Sequence, residues 1–316
     1  MAKIVCTAEH VSKSFGNMKA LEDVSIEMLE GEVFGLLGSN GAGKSTLTKI
    51  MTGLLSADSG SVNFFGSGLS ANYNSLKKIF SVVPQEVSCY YGFTVRENID
   101  FFCKMYGLRG KELEQRTQFL IEWLSLEKYR DVPANNLSGG FKRLLNIACS
   151  LVNDPQIIFM DEPTVGLDPK MRQLLWGKIK ELKEQGRTIC LTTHYLDEAQ
   201  ALCNRVGLLV NGRLLVKGMP QELIERYGGY RILIIKVDKE ISTEHAQQIK
   251  GSFEGAQVEI FGGTIVVSFL QKHSLEKISL LTQWLGGEGY EILSSIVKEP
   301  ELEDVFLNLT GEKLRD

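Results

Sequence analysis

The feature that most constrains the fold is a glycine-rich loop, GSNGAGKST, at residues 38–46. It fits the pattern G-x-x-x-x-G-K-[ST] of a phosphate-binding loop, with Lys44 and Ser45 at its end. The apolar segment 32–37 before it predicts a buried strand, and residues 46–53 after it predict a helix. This order of strand, loop and helix predicts an α/β domain with a mostly parallel sheet.

The loop residues match what a bound triphosphate requires. Glycines let backbone N–H groups come close to the phosphates, and the following helix N-terminus adds partial positive charge. Lys44 can reach the β- and γ-phosphates, and the Ser45 hydroxyl can ligate Mg²⁺. A turn that binds nothing is the structural alternative, which the lysine and serine disfavour. The residues predicted to contact ATP here are Gly38, Ser39, Asn40, Gly41, Ala42, Gly43, Lys44, Ser45 and Thr46.

A second apolar segment ends in two carboxylates. Residues 157–162 read IIFMDE, so a buried strand would carry Asp161 and Glu162 to its carboxyl end, where open α/β sheets place their ligands. Asp161 is predicted to hold Mg²⁺, and Glu162 to orient and deprotonate the attacking water. A solvated acidic turn is the alternative, and it is less consistent with a phosphate loop upstream.

Together with LSGG at residues 137–140, these motifs make the chain resemble the ATP-binding subunit of an ATP-binding cassette (ABC) transporter. The resemblance implies that Phe15 stacks on adenine, although core packing is the alternative. It implies that Gln85 touches Mg²⁺ or water and senses the membrane partner. It also implies that Asp168 couples two sites across a dimer and that His194, after an apolar strand, contacts the γ-phosphate.

In this family LSGG completes the ATP site of a second subunit, so the resemblance implies a head-to-tail pair. Ser138 offers a hydroxyl, and Gly139 and Gly140 offer backbone N–H groups before a helix predicted from about Phe141. The alternative for Ser138 is a helix N-cap. The family most often has glutamine where this chain has Phe141, which leaves the local geometry open.

Composition is that of a globular protein, with 43% hydrophobic and 23% charged residues. The net charge of −4 gives no general attraction to nucleic acid. No apolar run approaches the roughly 18 residues of a membrane-spanning helix, and the N-terminus lacks the apolar core of a signal peptide. The cysteines form no C-x-x-C pair and predict reduced thiols in a cytosolic compartment. They are Cys6, Cys89, Cys103, Cys149, Cys190 and Cys203.

Two domains are predicted. Residues 1–226 would form the ATP-binding cassette, with a helical subdomain at about 86–150 that in the family receives the membrane partner. Residues 227–316 would form a small α+β accessory domain for dimerisation or regulation. Its runs of strand and helix character follow the order βαββαβ, which predicts a ferredoxin-like fold.

The resemblance implies an ATPase that drives a separate transmembrane permease from the cytoplasmic face of the membrane, with ATP and Mg²⁺ as cofactors. The subunits would pair as a homodimer or heterodimer and bind no nucleic acid. The segment LTTHYLDEAQALCNRVGLLVNGRL and the tail EPELEDVFLNLTGE resemble the drug- and polysaccharide-export type. The alternatives are a soluble ABC ATPase that acts on ribosomes or DNA, and a regulatory module that binds ATP without hydrolysis.

Overall fold

The computed structural model describes residues 3–253, 256–270 and 274–311. Close contacts divide them into two compact units, one up to Pro220 and one from Gln221 onwards. This division places most of the helix that follows Pro220 with the second unit, whereas the sequence assigned that helix to the cassette. The boundary predicted between residues 226 and 227 separates two domains that are expected to fold independently, and it stays a prediction.

The first unit contains ten strands and seven α-helices among its described residues, with two short 3-10 turns at Glu127–Tyr129 and Ala134–Asn136. Its elements in chain order are β1 (Ile4–Phe15), β2 (Met18–Leu29), β3 (Val33–Leu37), α1 (Lys44–Met51), β4 (Ser59–Phe64), β5 (Ser67–Gly68), α2 (Leu69–Leu76), β6 (Phe80–Val83), α3 (Val95–Met105), α4 (Gly110–Trp123), α5 (Gly139–Ser150), β7 (Ile157–Asp161), α6 (Pro169–Glu184), β8 (Thr188–Thr193), α7 (Leu196–Leu202), β9 (Arg205–Val210) and β10 (Arg213–Gly218).

A six-stranded sheet in the order β10-β9-β3-β8-β7-β6 forms the centre of this unit. All its neighbouring strands pair in parallel except β10, which pairs antiparallel with β9. Every residue of β3, β7 and β8 is buried, as expected for parallel strands covered on both faces. Because β3, β7 and β8 are adjacent and parallel, the residues after their carboxyl ends meet at one edge of the sheet.

An antiparallel sheet in the order β2-β1-β4-β5 packs against the central sheet. Three rings join the two layers: Phe64 from β4 stacks on Phe80 of β6 at 5.3 Å between centroids, and both meet Phe159 of β7 edge-on at 6.3 and 6.0 Å. The burial of these rings stabilises the contact between layers, since large aromatic side chains contribute most to core packing.

The helical subdomain is organised by a buried amide. Thr94 and Glu97 form a capping box that begins α3. One turn on, fully buried Asn98 accepts a hydrogen bond from the Tyr90 backbone N–H at 2.8 Å and donates to the carbonyls of Tyr90, Phe93 and Thr94. This single side chain therefore fixes the loop that leads from β6 into α3.

The second unit contains helix α8 (Pro220–Tyr227), of which Pro220 closes the first unit, followed by β11 (Tyr230–Val237), α9 (Thr243–Ser252), β12 (Gln257–Phe261), β13 (Thr264–Leu270), α10 (Ser274–Gly287), β14 (Ile292–Lys298) and α11 (Leu302–Thr310). Its antiparallel sheet has the order β12-β13-β11-β14. Together with the βαββαβ chain order, this strand order is that of a ferredoxin-like sandwich. The inner face of the sheet, with Leu233, Ile235 and Val267, packs in a core of its own with residues of α9 and α10.

The predicted fold class is thus confirmed for both parts of the chain. The strand predicted at 32–37 runs from Val33 to Leu37, and the helices predicted from residue 46 and from Phe141 begin two residues earlier, at Lys44 and Gly139. Helix α1 begins directly after Gly43, whereas α5 includes Gly139 and Gly140 as its first two residues. Among the described residues, no helix is both long and apolar enough to cross a bilayer.

Candidate functional site

The phosphate loop joins β3 to α1 at the carboxyl edge of the central sheet. A Cβ at position 38 would lie 2.3 Å from the Leu209 carbonyl oxygen, and one at position 43 would lie 2.6 Å from that of Ala20. Gly43 also has a φ of 106°, which other residues rarely adopt. Both positions therefore require glycine, and the loop can pass close to β9 and β2 only because of it.

The Lys44 side chain lies under this loop and is only 4% exposed. Its Nζ donates to the carbonyls of Gly38 at 2.8 Å and Ser39 at 3.2 Å, and it forms an ion pair with Glu162 Oε1 at 3.3 Å. The ammonium group is thus held at the centre of the loop, where a phosphate bound by the backbone N–H groups would meet it.

A set of hard oxygen ligands lies beside Lys44. Ser45 Oγ donates to Asp161 Oδ1 at 3.1 Å, and Thr192 Oγ1 donates to the same oxygen at 2.5 Å. A hydroxyl next to a carboxylate, at the edge of a phosphate loop, is the donor chemistry that Mg²⁺ prefers. The residues present therefore fit the predicted metal, which Ser45 and Asp161 would hold.

Three predicted site side chains contact the carboxylate of Glu162. Lys44 contacts Oε1, His194 Nδ1 lies 3.3 Å from the same oxygen, and Gln85 Nε2 donates to Oε2 at 3.0 Å. The predicted catalytic and metal-sensing side chains thus come from four separate segments of the chain. Their convergence on one buried carboxylate suits a group that must hold and activate a single water molecule.

The backbone at Glu162 is in a strained conformation. Its φ is 44°, in the left-handed region, and its N–H donates to the Thr192 carbonyl at 3.1 Å and to Thr192 Oγ1 at 3.0 Å. Such a conformation in a non-glycine residue costs on the order of 1–3 kcal/mol, and it persists at functional sites where surrounding bonds fix it. Here it turns the Glu162 side chain back over the phosphate loop.

Arg143 is a site residue that the sequence reasoning missed. Its guanidinium, 4% exposed, donates to five backbone carbonyls, those of Pro84, Gln85, Asp161, Glu162 and Pro163. Burial lowers the pKa of Arg143 to about 10. The group ties α5 to the segments that carry Gln85 and Glu162. The signal in the sequence is that Arg143 is a charged residue on the apolar face of α5, four positions before Ile147.

The LSGG segment lies at the start of α5. Ser138 precedes the helix, but its side chain makes no capping hydrogen bond, so the N-cap alternative does not account for it. In the described part of the chain, no hydrogen bond joins Ser138, Gly139 or Gly140 to the phosphate loop. The Phe141 ring packs on Tyr129, with centroids 4.1 Å apart, and therefore has a structural role in the helical subdomain.

Two other residues of the predicted site, Phe15 and Asp168, are not among the side chains that contact the Glu162 carboxylate. Phe15 is 47% exposed at the end of β1, with Lys13 Nζ 5.8 Å from its ring centroid, so core packing does not explain this aromatic residue. Asp168 caps α6, because its Oδ1 accepts a hydrogen bond from the Met171 N–H at 3.0 Å. Their roles at adenine and across a dimer stay predictions.

Replacing Lys44 with alanine should weaken ATP binding by about 10- to 100-fold, because a charge-assisted contact to the phosphates is lost. Equilibrium titration with a fluorescent ATP analogue measures this. Lys49→Ala is the matched control, since Lys49 is exposed on the same helix and should leave affinity unchanged. Equal affinities of the two variants would contradict the assignment of Lys44.

Comparison with known proteins agrees with this geometry. The sequence profile of the ABC transporter family matches residues 21–165. The chain is 38% identical over 307 residues to the Nod factor export ATP-binding protein I of Sinorhizobium fredii (strain NBRC 101917 / NGR234), covering 97% of this chain and 86% of that protein. It is 34% identical over 309 residues to a linearmycin resistance ATP-binding protein of Bacillus subtilis (strain 168), covering 98% and 99%.

Solved structures of similar shape include an ATP-binding subunit of an ABC transporter, with a TM-score of 0.64, 30% identity, and coverage of 71% of this chain and 93% of that one. Another is a dimeric ATP-binding cassette in a post-hydrolysis state with ADP and Pi, with a TM-score of 0.62, 25% identity, and coverage of 68% and 98%. The chain belongs to the ABC transporter family, as an ATP-binding subunit with ATPase activity.

Proposed function

We propose that this ATPase drives an export permease on a separate chain, from the cytoplasmic face of the membrane. The observation that carries the proposal is the convergence of Lys44, Gln85 and His194 on the Glu162 carboxylate. The relatives named for Nod factor export and linearmycin resistance support the direction of transport. They also favour a transporter over an ATPase that acts on ribosomes or DNA.

The proposed chemistry is in-line attack of water on the γ-phosphate. Glu162 orients the water and accepts its proton, His194 holds the Glu162 carboxylate and contacts the γ-phosphate, and Lys44 binds the phosphate oxygens. Ser45, Asp161 and Gln85 would hold Mg²⁺, which when bound supplies charge stabilisation on the phosphoryl oxygens. Phe15 would stack on adenine, and residues 38–46 would bind the phosphates.

The site needs a second subunit under this proposal. Ser138, Gly139 and Gly140 make no hydrogen bond to their own phosphate loop, but Ser138 leaves its hydroxyl free of a cap at the start of α5. We place them on the γ-phosphate of a paired subunit, with Asp168 coupling the two sites. The similar cassette of known dimeric structure supports this arrangement.

The permease is proposed to dock in a groove of about 740 Å³ between the helical subdomain and the central sheet. Its rim exposes Leu54 and Met105, at 63% and 69%, with Tyr106 beside them. Exposed apolar side chains at a groove are typical of an interface core. The groove also adjoins the loop after Gln85, so movement of a docked segment could reach the Glu162 carboxylate through that glutamine.

Replacing Met105 with glutamate should weaken binding of the permease and leave the ATP site unchanged, because a charge in the groove must be desolvated on docking. The test uses this subunit co-expressed with the multi-span membrane protein that the transport function predicts in a neighbouring reading frame. Recovery of that protein on affinity purification should fall at least about fivefold for Met105→Glu. Leu215→Glu is the matched control, because Leu215 is exposed on β10, away from the groove.

Full recovery of the membrane protein with Met105→Glu would contradict docking of the permease in this groove. Failure of the unaltered subunit to bind any multi-span protein, with ATPase activity intact, would instead count against the transport function. The two outcomes are therefore distinguishable in one experiment.

For residues 227–316 we propose dimerisation through the edge strand β14. Its residues Leu293, Ile296 and Val297 are 57%, 57% and 39% exposed. Lys298 is the one charged residue of this strand, at its end, whereas edge strands that avoid pairing usually carry charges. Antiparallel pairing of two copies about Ser295 would put Leu293 opposite Val297. Pairing of the cassettes would raise the local concentration of the two strands.

Replacing Ile296 with lysine should therefore weaken self-association of the full chain, measured without nucleotide by analytical ultracentrifugation. The expected shift in dissociation constant is at least about tenfold, since a lysine within an edge strand disfavours its pairing with another strand. Phe261→Lys is the control on the opposite edge, where Phe261 of β12 is 66% exposed. If both variants associate as the unaltered chain does, β14 is not the contact.

A further inference from the structure

Two cysteines that take no part in ATP hydrolysis lie together where the loop after Gln85 meets α5. Cys89 belongs to the loop between β6 and α3, and Cys149 lies near the end of α5. The residue before Cys89 is fixed to the helix, since the Ser88 N–H donates to Asn146 Oδ1 at 3.0 Å. Asn146 also donates to the Pro84 carbonyl at 3.3 Å. Cys149 is three residues after Asn146, on the next turn of the same helical face.

The Cys89 and Cys149 thiols lie near each other and interact, and they differ in environment. Cys149 is 3% exposed, and burial raises its pKa well above the ordinary value. Cys89 is half-buried, and the hydrogen bond to Cys149 lowers the pKa of the Cys89 thiol. An accessible thiol with a lowered pKa, next to a buried partner thiol, is the arrangement found in oxidant-sensitive cysteine pairs.

The other cysteines provide a contrast within the same chain. Each is buried, and burial raises the pKa of each thiol, to about 12 for Cys190. A thiolate, rather than a thiol, attacks an oxidant, so these sites should react slowly. They are Cys6, Cys103, Cys190 and Cys203.

We propose that Cys89 and Cys149 form an oxidisable dithiol that hydroperoxides convert into an intramolecular disulfide. The Cys89 thiolate attacks one peroxide oxygen, which breaks the O–O bond and gives a sulfenic acid and water after proton uptake. The Cys149 sulfur then attacks the Cys89 sulfur, and the departing hydroxide takes the Cys149 proton and leaves as water. Overall, two thiols and one hydrogen peroxide give one disulfide and two waters.

The disulfide would form a covalent link between α5 and the loop that follows Gln85. The sulfurs must close to about 2.0 Å, which a loop of irregular structure can permit by a small backbone shift. Oxidation would thereby fix the Gln85 segment to the helix that begins with Gly139, in addition to the bonds made by Arg143.

The test is treatment of the full chain with hydrogen peroxide, followed by alkylation and peptide mass spectrometry. We expect Cys89 and Cys149 to be recovered in one disulfide-linked peptide pair, two hydrogen atoms lighter than the separate thiols and restored by a reductant. In Cys89→Ser, loss of the Cys149 thiol should slow at least about tenfold. In Cys149→Ser, Cys89 should stop at a sulfenic acid that dimedone traps.

Cys103→Ser is the matched control, because Cys103 is a buried thiol in the same helical subdomain and its removal should leave the linked pair unchanged. The proposal is overturned if Cys149 is lost at the same rate with and without Cys89. It is also overturned if Cys89 is recovered only as a sulfinic acid or in a disulfide between chains.

Discussion

Replacement of Glu162 with glutamine should slow ATP hydrolysis by about 10²- to 10⁴-fold while ATP binding stays intact. The amide cannot accept the proton of the attacking water, but it keeps the size of the carboxylate and can still contact Gln85 and His194. The ion pair with Lys44 at 3.3 Å is lost, which frees the ammonium group for phosphate. Phosphate release and equilibrium nucleotide binding, measured on the same preparation, separate the two effects.

The same variant also tests whether two subunits pair when ATP is bound. If hydrolysis releases an ATP-bound pair of cassettes, Glu162→Gln should dimerise more tightly in Mg²⁺-ATP than without nucleotide, as measured by size-exclusion chromatography with light scattering over a range of concentrations. Glu86→Gln, an exposed carboxylate in the loop after Gln85, is the matched control and should hydrolyse ATP at the unaltered rate. Hydrolysis at the unaltered rate by Glu162→Gln would show that another group is the base.

Replacement of Arg143 with methionine should destabilise the cassette by at least about 3 kcal/mol. Five backbone carbonyls would lose the guanidinium as a donor at once, and only that of Pro84 is shown with a second side-chain donor, the Asn146 amide. Methionine fills the space without supplying a hydrogen bond. A buried acceptor without a partner costs roughly 1–3 kcal/mol, so this loss exceeds the gain from removing a desolvated charge. Urea denaturation followed by circular dichroism measures the change in unfolding free energy.

The neighbouring residue supplies the control for Arg143. Lys142 is only partly buried, with its Nζ 5.6 Å from the Tyr91 ring centroid, and Lys142→Met should shift stability by no more than about 0.5 kcal/mol. Arg143→Lys should recover only part of the loss, because an ammonium group offers three donors where the guanidinium serves five acceptors. Equal stability of Arg143→Met and the unaltered chain would mean that water satisfies these carbonyls.

Local sequence patterns were sufficient for the elements and for much of the candidate site. Alternation and helical spacing between Tyr230 and Thr310 predicted each strand and helix of the ferredoxin-like unit. Lys44 was predicted from the phosphate-loop pattern, and Asp161 and Glu162 from their place at the carboxyl end of a buried strand, where open α/β sheets hold their ligands. Such signals are contained in a few neighbouring residues, so the chain alone carries them.

Tertiary structure alone decided how distant residues meet. The five acceptors of Arg143, the contact between Cys89 and Cys149, and the exposure of β14 all depend on packing between segments that no local period relates. Hydrophobic patterning specifies which face of an element is buried. It does not specify which polar group of another segment will contact that element. Sequence therefore determined the elements and the reactive residues, whereas packing geometry determined the hydrogen bonds between them.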